Sequence, residues 1–323
     1  MSKYSQDVIN MLYQHHNTYI SGQHIANQLN ISRAAVKKII DQLKVEGCDI
    51  ISINHKGHQL KSLPDQWYLG IIKPIVNKHQ IFDQIEVYRT ADSTQIIAKQ
   101  MLVNNSKSYL ILSDEQTKGR GRFNRNWSSS KGKGLWMSVV LRPNVPFDMM
   151  PKFNLFIALG IRDAIQAFAN DEVKIKWPND IYIGDKKVCG FLTEMVANYD
   201  AVEAIICGIG INMNHTEDDF IEEIKSRATS IRLHATHKIN RYAFFDQLIS
   251  QIVYRYQQFL TQPFNTIRDE YIKASNIWQR QIKFTENGTQ FMGEAEDIDY
   301  NGFLIVRDNQ GNMRRLMSAD IEI

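Results

Sequence analysis

Apolar positions near the start of the chain recur at helical spacing. Val8, Met11 and Leu12 predict a first helix over 5–15. Ser21 is placed to cap a short helix that buries Ile25 and Leu29. Ser32 caps a longer one, in which Val36, Ile39, Ile40 and Leu43 form the i, i+3, i+4, i+7 face. Gly47 stops that helix, and two strands, 49–53 and 59–63, flank His55-Lys56-Gly57-His58. Pro64, Gly70 and Pro74 mark 64–82 as a connector packing on the next domain. Strands and helices then mix. A strand over 85–89 leads to a helix over 96–103 capped by Asp92 or Ser93, and 109–112 is a short apolar strand. Trp127 and 135–141 give another strand, and Pro151 starts a helix with Ile157, Ile161, Ala164, Ile165 and Phe168 on one face. Residues 174–180 alternate as a strand that Pro178 ends. A hairpin of 181–183 and 186–196 turns at Gly184-Asp185, and 202–214 pairs back across 198–200. Asn240 caps a long helix to about 260. From Ser275 onward, short strands split by Asn287-Gly288, Asn301-Gly302 and Gln310-Gly311 predict a small β-barrel. The expected class is α+β, with units at 1–63, 64–82, 83–274 and 275–323.

Composition changes this picture at one end. The 323 residues are 43% hydrophobic and 23% charged, ordinary for a globular protein of two or three domains. Residues 1–62 hold seven Lys/Arg against four acids, which accounts for the whole net charge of +3. Five of the nine histidines also fall there, as expected of an end that meets a polyanion. Arg33, Ala34, Lys37 and Lys38 face outward at the start of the second of two closely spaced helices, the helix-turn-helix geometry, with a basic hairpin wing behind. The DNA-facing candidates are Ser21, Gly22, Gln23, Ser32, Arg33, Ala34, Ala35, Lys37, Lys38 and Lys56. A three-helix packing domain shares the same apolar pattern; the outward basic face favours DNA. Cys48, Cys189 and Cys207 show no CxxC or metal-ligand spacing, and no secretory segment is visible, so a reducing cytoplasm is the expected setting. The longest apolar run, near 153–161, is too short to span a bilayer.

The candidate chemistry lies in the middle. Between Glu115 and Asp148 there is no carboxylate but seven basic side chains, interleaved with Gly119, Gly121, Gly132 and Gly134. Glycines let backbone N–H groups approach a ligand, and arginines supply forked donors for phosphate or carboxylate. A basic surface loop for nucleic acid is the other reading of this stretch. Ser93 and Thr94 stand at a helix start, where hydroxyls and free N–H groups can hold a polar ligand group or simply cap the helix. Gly208 and Gly210 interrupt an apolar strand, which marks close approach of a ligand or backbone. Lys187 opens a long apolar strand and needs an anionic partner unless it lies at an edge. Cys189 is read as a buried small residue in preference to an acyl acceptor.

Ser93-Thr94, Gln116, Gly119-Arg120-Gly121-Arg122 with Trp127, Lys176-Trp177-Pro178-Asn179-Asp180, Lys187-Val188-Cys189-Gly190 and Gly208-Ile209-Gly210-Ile211-Asn212 occur in the order seen in biotin protein ligases. With the helix-turn-helix ahead, the whole chain resembles the bifunctional form that doubles as the biotin operon repressor. Gln95 and Asn124 depart from the family's usual Asn and Gly. The resemblance implies a central mixed sheet akin to class II aminoacyl-tRNA synthetases and lipoate ligases, and an SH3-like C-terminal domain. It implies two steps, in which biotin and MgATP give biotinyl-5′-AMP and pyrophosphate, and the adenylate then acylates a lysine. The acceptor is a biotin carboxyl carrier domain of acetyl-CoA carboxylase or pyruvate carboxylase. A homodimer on operator DNA, with the adenylate as corepressor, is implied as well. Arg120, Arg122 and Lys187 then serve catalysis. Ser93, Thr94, Gln95, Gln116, Gly119, Gly121, Gly190, Gly208 and Gly210 join them around biotin. Arg122, Arg125, Trp127, Lys176, Asn179, Asp180, Lys187 and Asn212 face ATP, with Mg²⁺ near Asp180. A pure small-molecule sensor and a lipoate-type ligase are the rival readings.

Overall fold

The computed structural model describes residues 3–197, 201–286, 289–317, 319, 321 and 322, so the expected turns at 198–200 and Asn287-Gly288 lie outside the described residues. Helices α1 (Lys3–Gln14), α2 (Gly22–Leu29) and α3 (Arg33–Val45) close around Val8, Leu12, Ile25, Val36, Ile40 and Leu43. Leu29 and Ile39 are only half-buried at its margin. Both caps form: Ser21 Oγ accepts from the His24 N–H at 3.0 Å and Ser32 Oγ from Ala35 at 3.1 Å. Strands β1 (Asp49–Ile53) and β2 (Gly57–Ser62) pair antiparallel as the wing. Backbone bonds exchanged between Ile20 and His58 tie it to the turn before α2.

The connector is more ordered than expected. Trp67 and Tyr68 are fully buried, and helix α4 (Leu69–Asn77) follows with Pro74 inside it. An interior proline costs about 3 kcal/mol or more. Burial of Ile71, Ile72 and Val76 in the common core opposes that cost, since each apolar side chain removed from water contributes roughly 1.5–3 kcal/mol.

The central sheet contains β3 (Gln84–Tyr88), β4 (Tyr109–Ser113), β5 (Gly134–Leu141), β6 (Val173–Lys176), β7 (Asp180–Ile183), β8 (Lys186–Ala197) and β9 (Val202–Asn212). Their order is β3-β4-β5-β9-β8-β7-β6, with β3 and β4 parallel and the other neighbours antiparallel. Helix α5 (Thr94–Leu102) covers one face over Tyr109, Ile111, Val140 and Ile206. Helix α6 (Met150–Gln166) packs on the main core and carries α8 (Arg241–Thr261) outside it. The short α7 (Glu222–Lys225) and α9 (Asn265–Ala274) were not anticipated. Asn240 caps α8 as read, accepting from the Tyr242 and Ala243 N–H groups.

Two strand readings change. Trp127 lies in the loop before β5. The 174–180 segment is not one strand: β6 ends at Lys176, a cis Trp177-Pro178 bond turns the chain, and Asp180 opens β7 opposite Gly190. The C-terminal unit has β10 (Gln281–Glu286), β11 (Thr289–Ile298), β12 (Leu304–Asp308), β13 (Met313–Leu316) and β14 (Ile321–Glu322). They pair antiparallel in the order β13-β12-β11-β10-β14 over Ile282, Phe284, Ile298, Leu304 and Val306. Among the described residues the ladder does not join β13 to β14, so the pairing is open where a closed barrel was expected. No helix among them is long and apolar enough to cross a membrane.

Candidate active site

Parallel pairing of β3 and β4 sets the β3–α5 turn beside the chain leaving β4. Gln116 thereby meets Thr94, whose N–H and Oγ1 donate to Gln116 Oε1 at 2.8 and 3.2 Å. Gln116 Nε2 donates to Ser129 Oγ at 2.9 Å, and Thr94 Oγ1 lies 2.8 Å from Ser138 Oγ. Ser138 donates to Gln95 Oε1 at 3.1 Å, and Gln95 Nε2 donates to Glu194 at 2.8 Å. Ser93 is the buried N-cap of α5 and makes no capping bond with its side chain. The result is a connected cluster of Thr94, Gln95, Gln116, Ser129 and Ser138, amide and hydroxyl groups of the kind that pair with a small cyclic amide or urea.

Three strand glycines form one wall. A Cβ on Gly208 would lie 3.1 Å from Gln95 Cδ, and one on Gly210 would lie 2.7 Å from Cε2 of the Trp127 indole. On Gly190 it would meet Lys187 Cε at 3.0 Å and Trp127 Cζ3 at 3.2 Å. Gln95, Trp127 and Lys187 therefore lie directly against these glycines, and only a missing side chain allows that approach. Gly119 is also obligatory, because a Cβ there would sit 2.7 Å from Ser129 Oγ. Gly121 is not constrained in this way; its nearest neighbour would be 3.8 Å away.

Cations stand beside Trp127 and the strand glycines. Lys187 Nζ is 2.6 Å from Asp180 Oδ1 and 5.4 Å from the centre of the Trp127 ring. Its anionic partner is thus the residue that the cis-proline turn delivers to β7. Backbone bonds to Arg227 and Thr229 hold Lys187 from the other side. Arg122 Nη1 donates to Asn179 Oδ1 at 2.9 Å, and Nη2 donates to the Ala319 carbonyl of the C-terminal unit at 3.2 Å. Asn179 donates in turn to the Phe191 carbonyl. Asn212, at the end of β9, donates to the Thr229 carbonyl at 3.0 Å. Lys176 Nζ lies 5.4 Å above the Tyr182 ring. Arg120 and Arg125 are exposed along the loop, Arg125 at 6.0 Å from the Phe123 ring. The fold thus gathers Arg122, Trp127, Asn179, Asp180 and Lys187, and leaves Arg120, Arg125 and Lys176 around them.

Ser129, Ser138, Glu194 and the Ala319 carbonyl were not among the sequence candidates. Ser138 had a readable signal, a hydroxyl amid the apolar 135–141 run, and it is fully buried. Glu194 and the Ala319 carbonyl depend on contacts between distant segments, and Ser129 on the return of its own loop to Gln116. Among the described residues no group of three or more His, Cys, Asp or Glu could hold a metal ion. Cys189 is fully buried, and burial pushes its thiol well above its ordinary range, away from the thiolate that an acyl acceptor needs. In the N-terminal unit Arg33, Ala34, Lys37, Lys38 and the wing-tip Lys56 are exposed, and Ala35 is half-buried. The Ser21 and Ser32 hydroxyls are engaged as caps, and Gln23 donates to Asn27 at 2.8 Å. Gly22 packs under the wing, where a Cβ would lie 3.2 Å from His58 Nε2.

Comparison with known proteins agrees with this layout. The biotin/lipoate A/B protein ligase family matches residues 87–212, an HTH domain matches 5–59, and the biotin protein ligase C-terminal domain matches 280–323. The bifunctional ligase/repressor BirA of Bacillus subtilis is 36% identical, covering 98% of each chain. BirA of Escherichia coli is 25% identical over 94% of this chain and 92% of its own. The biotin protein ligase of Aquifex aeolicus in complex with biotin and ATP aligns with a TM-score of 0.64 at 26% identity, over 75% of this chain and 99% of that one. The chain belongs to the bifunctional ligase/repressor family of biotin protein ligases.

Proposed function

We propose that this chain joins biotin to ATP as biotinyl-5′-AMP, passes the biotinyl group to a lysine of a biotin carboxyl carrier domain, and represses transcription through its N-terminal unit with the adenylate as corepressor. The observation that carries the reading is the set of Lys187, Asp180, Arg122 and Asn179 together with the hydrogen-bonded Thr94–Gln116–Ser129 cluster. A biotin carboxylate must reach the α-phosphorus although both are anionic. Arg122 and Lys187 are the cations that offset this repulsion, and the attacking oxygen displaces pyrophosphate. Arg120, Arg125 and Lys176 extend the positive field toward the triphosphate. Thr94, Gln116 and Ser93, joined by Ser129, Ser138 and Gln95, pair the ureido groups, which would be costly to bury unpaired. Trp127 offers a face for adenine, with Asn212 near its edge. In the second step the acceptor amine attacks the anhydride carbonyl and AMP leaves.

Mg²⁺ comes with the triphosphate as part of the substrate and screens its charge. The Asp180 carboxylate is the oxygen donor here that would face it, but Asp180 is bonded to Lys187, and that pairing fits orientation of Lys187 at least as well. The same reading includes boundaries at 1–63, 64–82, 83–274 and 275–323, an SH3-like C-terminal domain, a synthetase-like central fold, and a cytoplasmic homodimer on operator DNA. Acceptors are the carrier domains of acetyl-CoA carboxylase or pyruvate carboxylase. ATP–pyrophosphate exchange that requires biotin and does not respond to lipoate tests the ligase reading. Exchange supported equally by lipoate, or none with either acid, overturns it.

A further inference from the structure

Asp114 is the residue from which the basic loop departs, and its carboxylate is fully buried. A buried carboxylate persists only where donors meet it. Asp114 Oδ1 accepts from the Trp67 N–H at 2.7 Å, and Oδ2 accepts from Arg89 at 2.8 Å. The Arg241 guanidinium lies 3.7 Å from the same carboxylate and stacks on the Trp67 ring at 4.3 Å. The donors come from the connector, from β3's end and from α8, three segments far apart in sequence.

The loop also returns to this point. The Gly132 N–H donates to the Asp114 carbonyl at 3.1 Å, and the Gly132 carbonyl accepts from Arg241 at 3.3 Å. Gly132 has φ +72, and a Cβ there would lie 2.7 Å from the Asp65 carbonyl, so connector and loop touch at a residue that has to be glycine. Gln116, two residues beyond Asp114, is the hub of the Thr94–Gln116–Ser129 cluster. On its other side the connector is held by the N-terminal unit. Tyr68 OH lies 3.2 Å from Cys48 Sγ, and the Gly70 N–H donates to Gln6 of α1 at 2.7 Å. One buried junction therefore touches both roots of the loop and the DNA-facing unit.

We infer that Asp114 is a positioning residue that seats both ends of the basic loop on the connector and so ties the order of the loop to the seating of the N-terminal unit. The inference rests on the ligase reading above. Its test is Asp114→Asn in the full chain, with Arg89→Lys as a second variant, in which a partly exposed donor keeps its charge but loses its fork to the carboxylate, should the first fail to fold. Biotin-dependent exchange is measured per active site, with the release rate of biotinyl-5′-AMP. A misplaced loop raises KM for biotin and ATP about tenfold or more and speeds adenylate release comparably, while kcat per titrated site stays within about threefold. Hydrogen exchange supplies a readout that a merely structural role does not move. In the wild-type chain biotin and MgATP slow exchange over 117–131 and also over 66–72; in the variants the second effect disappears. Unchanged KM, release and 66–72 protection, with only a smaller active fraction, overturn the inference. A wild-type chain without biotin-dependent exchange overturns the ligase reading instead, so the two failures are distinct.

Discussion

Replacing Lys187 with alanine separates catalysis from stability. The ammonium stands 2.6 Å from Asp180 and beside the Trp127 ring, and the proposed reading puts the charge that develops as carboxylate and α-phosphate join next to it. Removing one preorganised donor or cation from such a position costs about 2.7–4 kcal/mol in the barrier, or roughly 100- to 1000-fold in rate. The fold loses far less. Both side chains of the pair are about a quarter exposed, at 27% and 24%, so water screens it. Such pairs contribute about 1 kcal/mol or less to stability, and Tm should fall by only a few degrees. The assay is biotin-dependent ATP–pyrophosphate exchange at saturating substrates, alongside thermal unfolding of the same sample. A folded Lys187→Ala variant within about threefold of wild type would refute the charge-neutralisation argument.

Three further outcomes are expected from the geometry. Gly210→Ala puts a methyl group 2.7 Å from Trp127 Cε2, so the indole must move; overpacking of this kind costs about 1–3 kcal/mol, and KM for ATP should rise about tenfold with a shift in tryptophan emission. His215 is buried against Phe220 at 5.1 Å and Trp136 at 6.0 Å, and burial pushes its pKa down to about 4. The unfolded chain takes up that proton near 6.5, so between 4 and 6.5 it binds more protons than the folded one, and stability falls as pH falls through this window by up to about 3 kcal/mol. His215→Phe should flatten that part of the curve, as urea unfolding at several pH values would register. Lys37→Ala on the exposed face of α3 should weaken binding to duplex DNA and reduce the slope of affinity against salt by about one, measured by titration at several salt concentrations.

Much of this chain was legible from its residues because local physics decides it. Ser21, Ser32 and Asn240 cap the helices they precede, since a cap needs only a short polar side chain and the next turn of backbone. The carboxylate-free, glycine-rich stretch after Glu115 stands out by charge and flexibility alone, as do Gly208 and Gly210 within an apolar strand. The connector helix was hidden because Pro64, Gly70 and Pro74 spell a break, and burial in the common core outweighed them. Which side chains meet was decided by topology. Asp180 and Lys187 face each other across the β7–β8 hairpin, which the sequence does announce at Gly184-Asp185, though the break at Trp177-Pro178 that starts β7 at Asp180 reads there as continuous strand. Thr94 meets Gln116 only because β3 and β4 run parallel, and Arg122 reaches Ala319 only because the C-terminal unit folds back on the loop. Residue types carry the chemistry a segment can perform, but contacts between separate elements depend on strand order and packing, which no local pattern encodes.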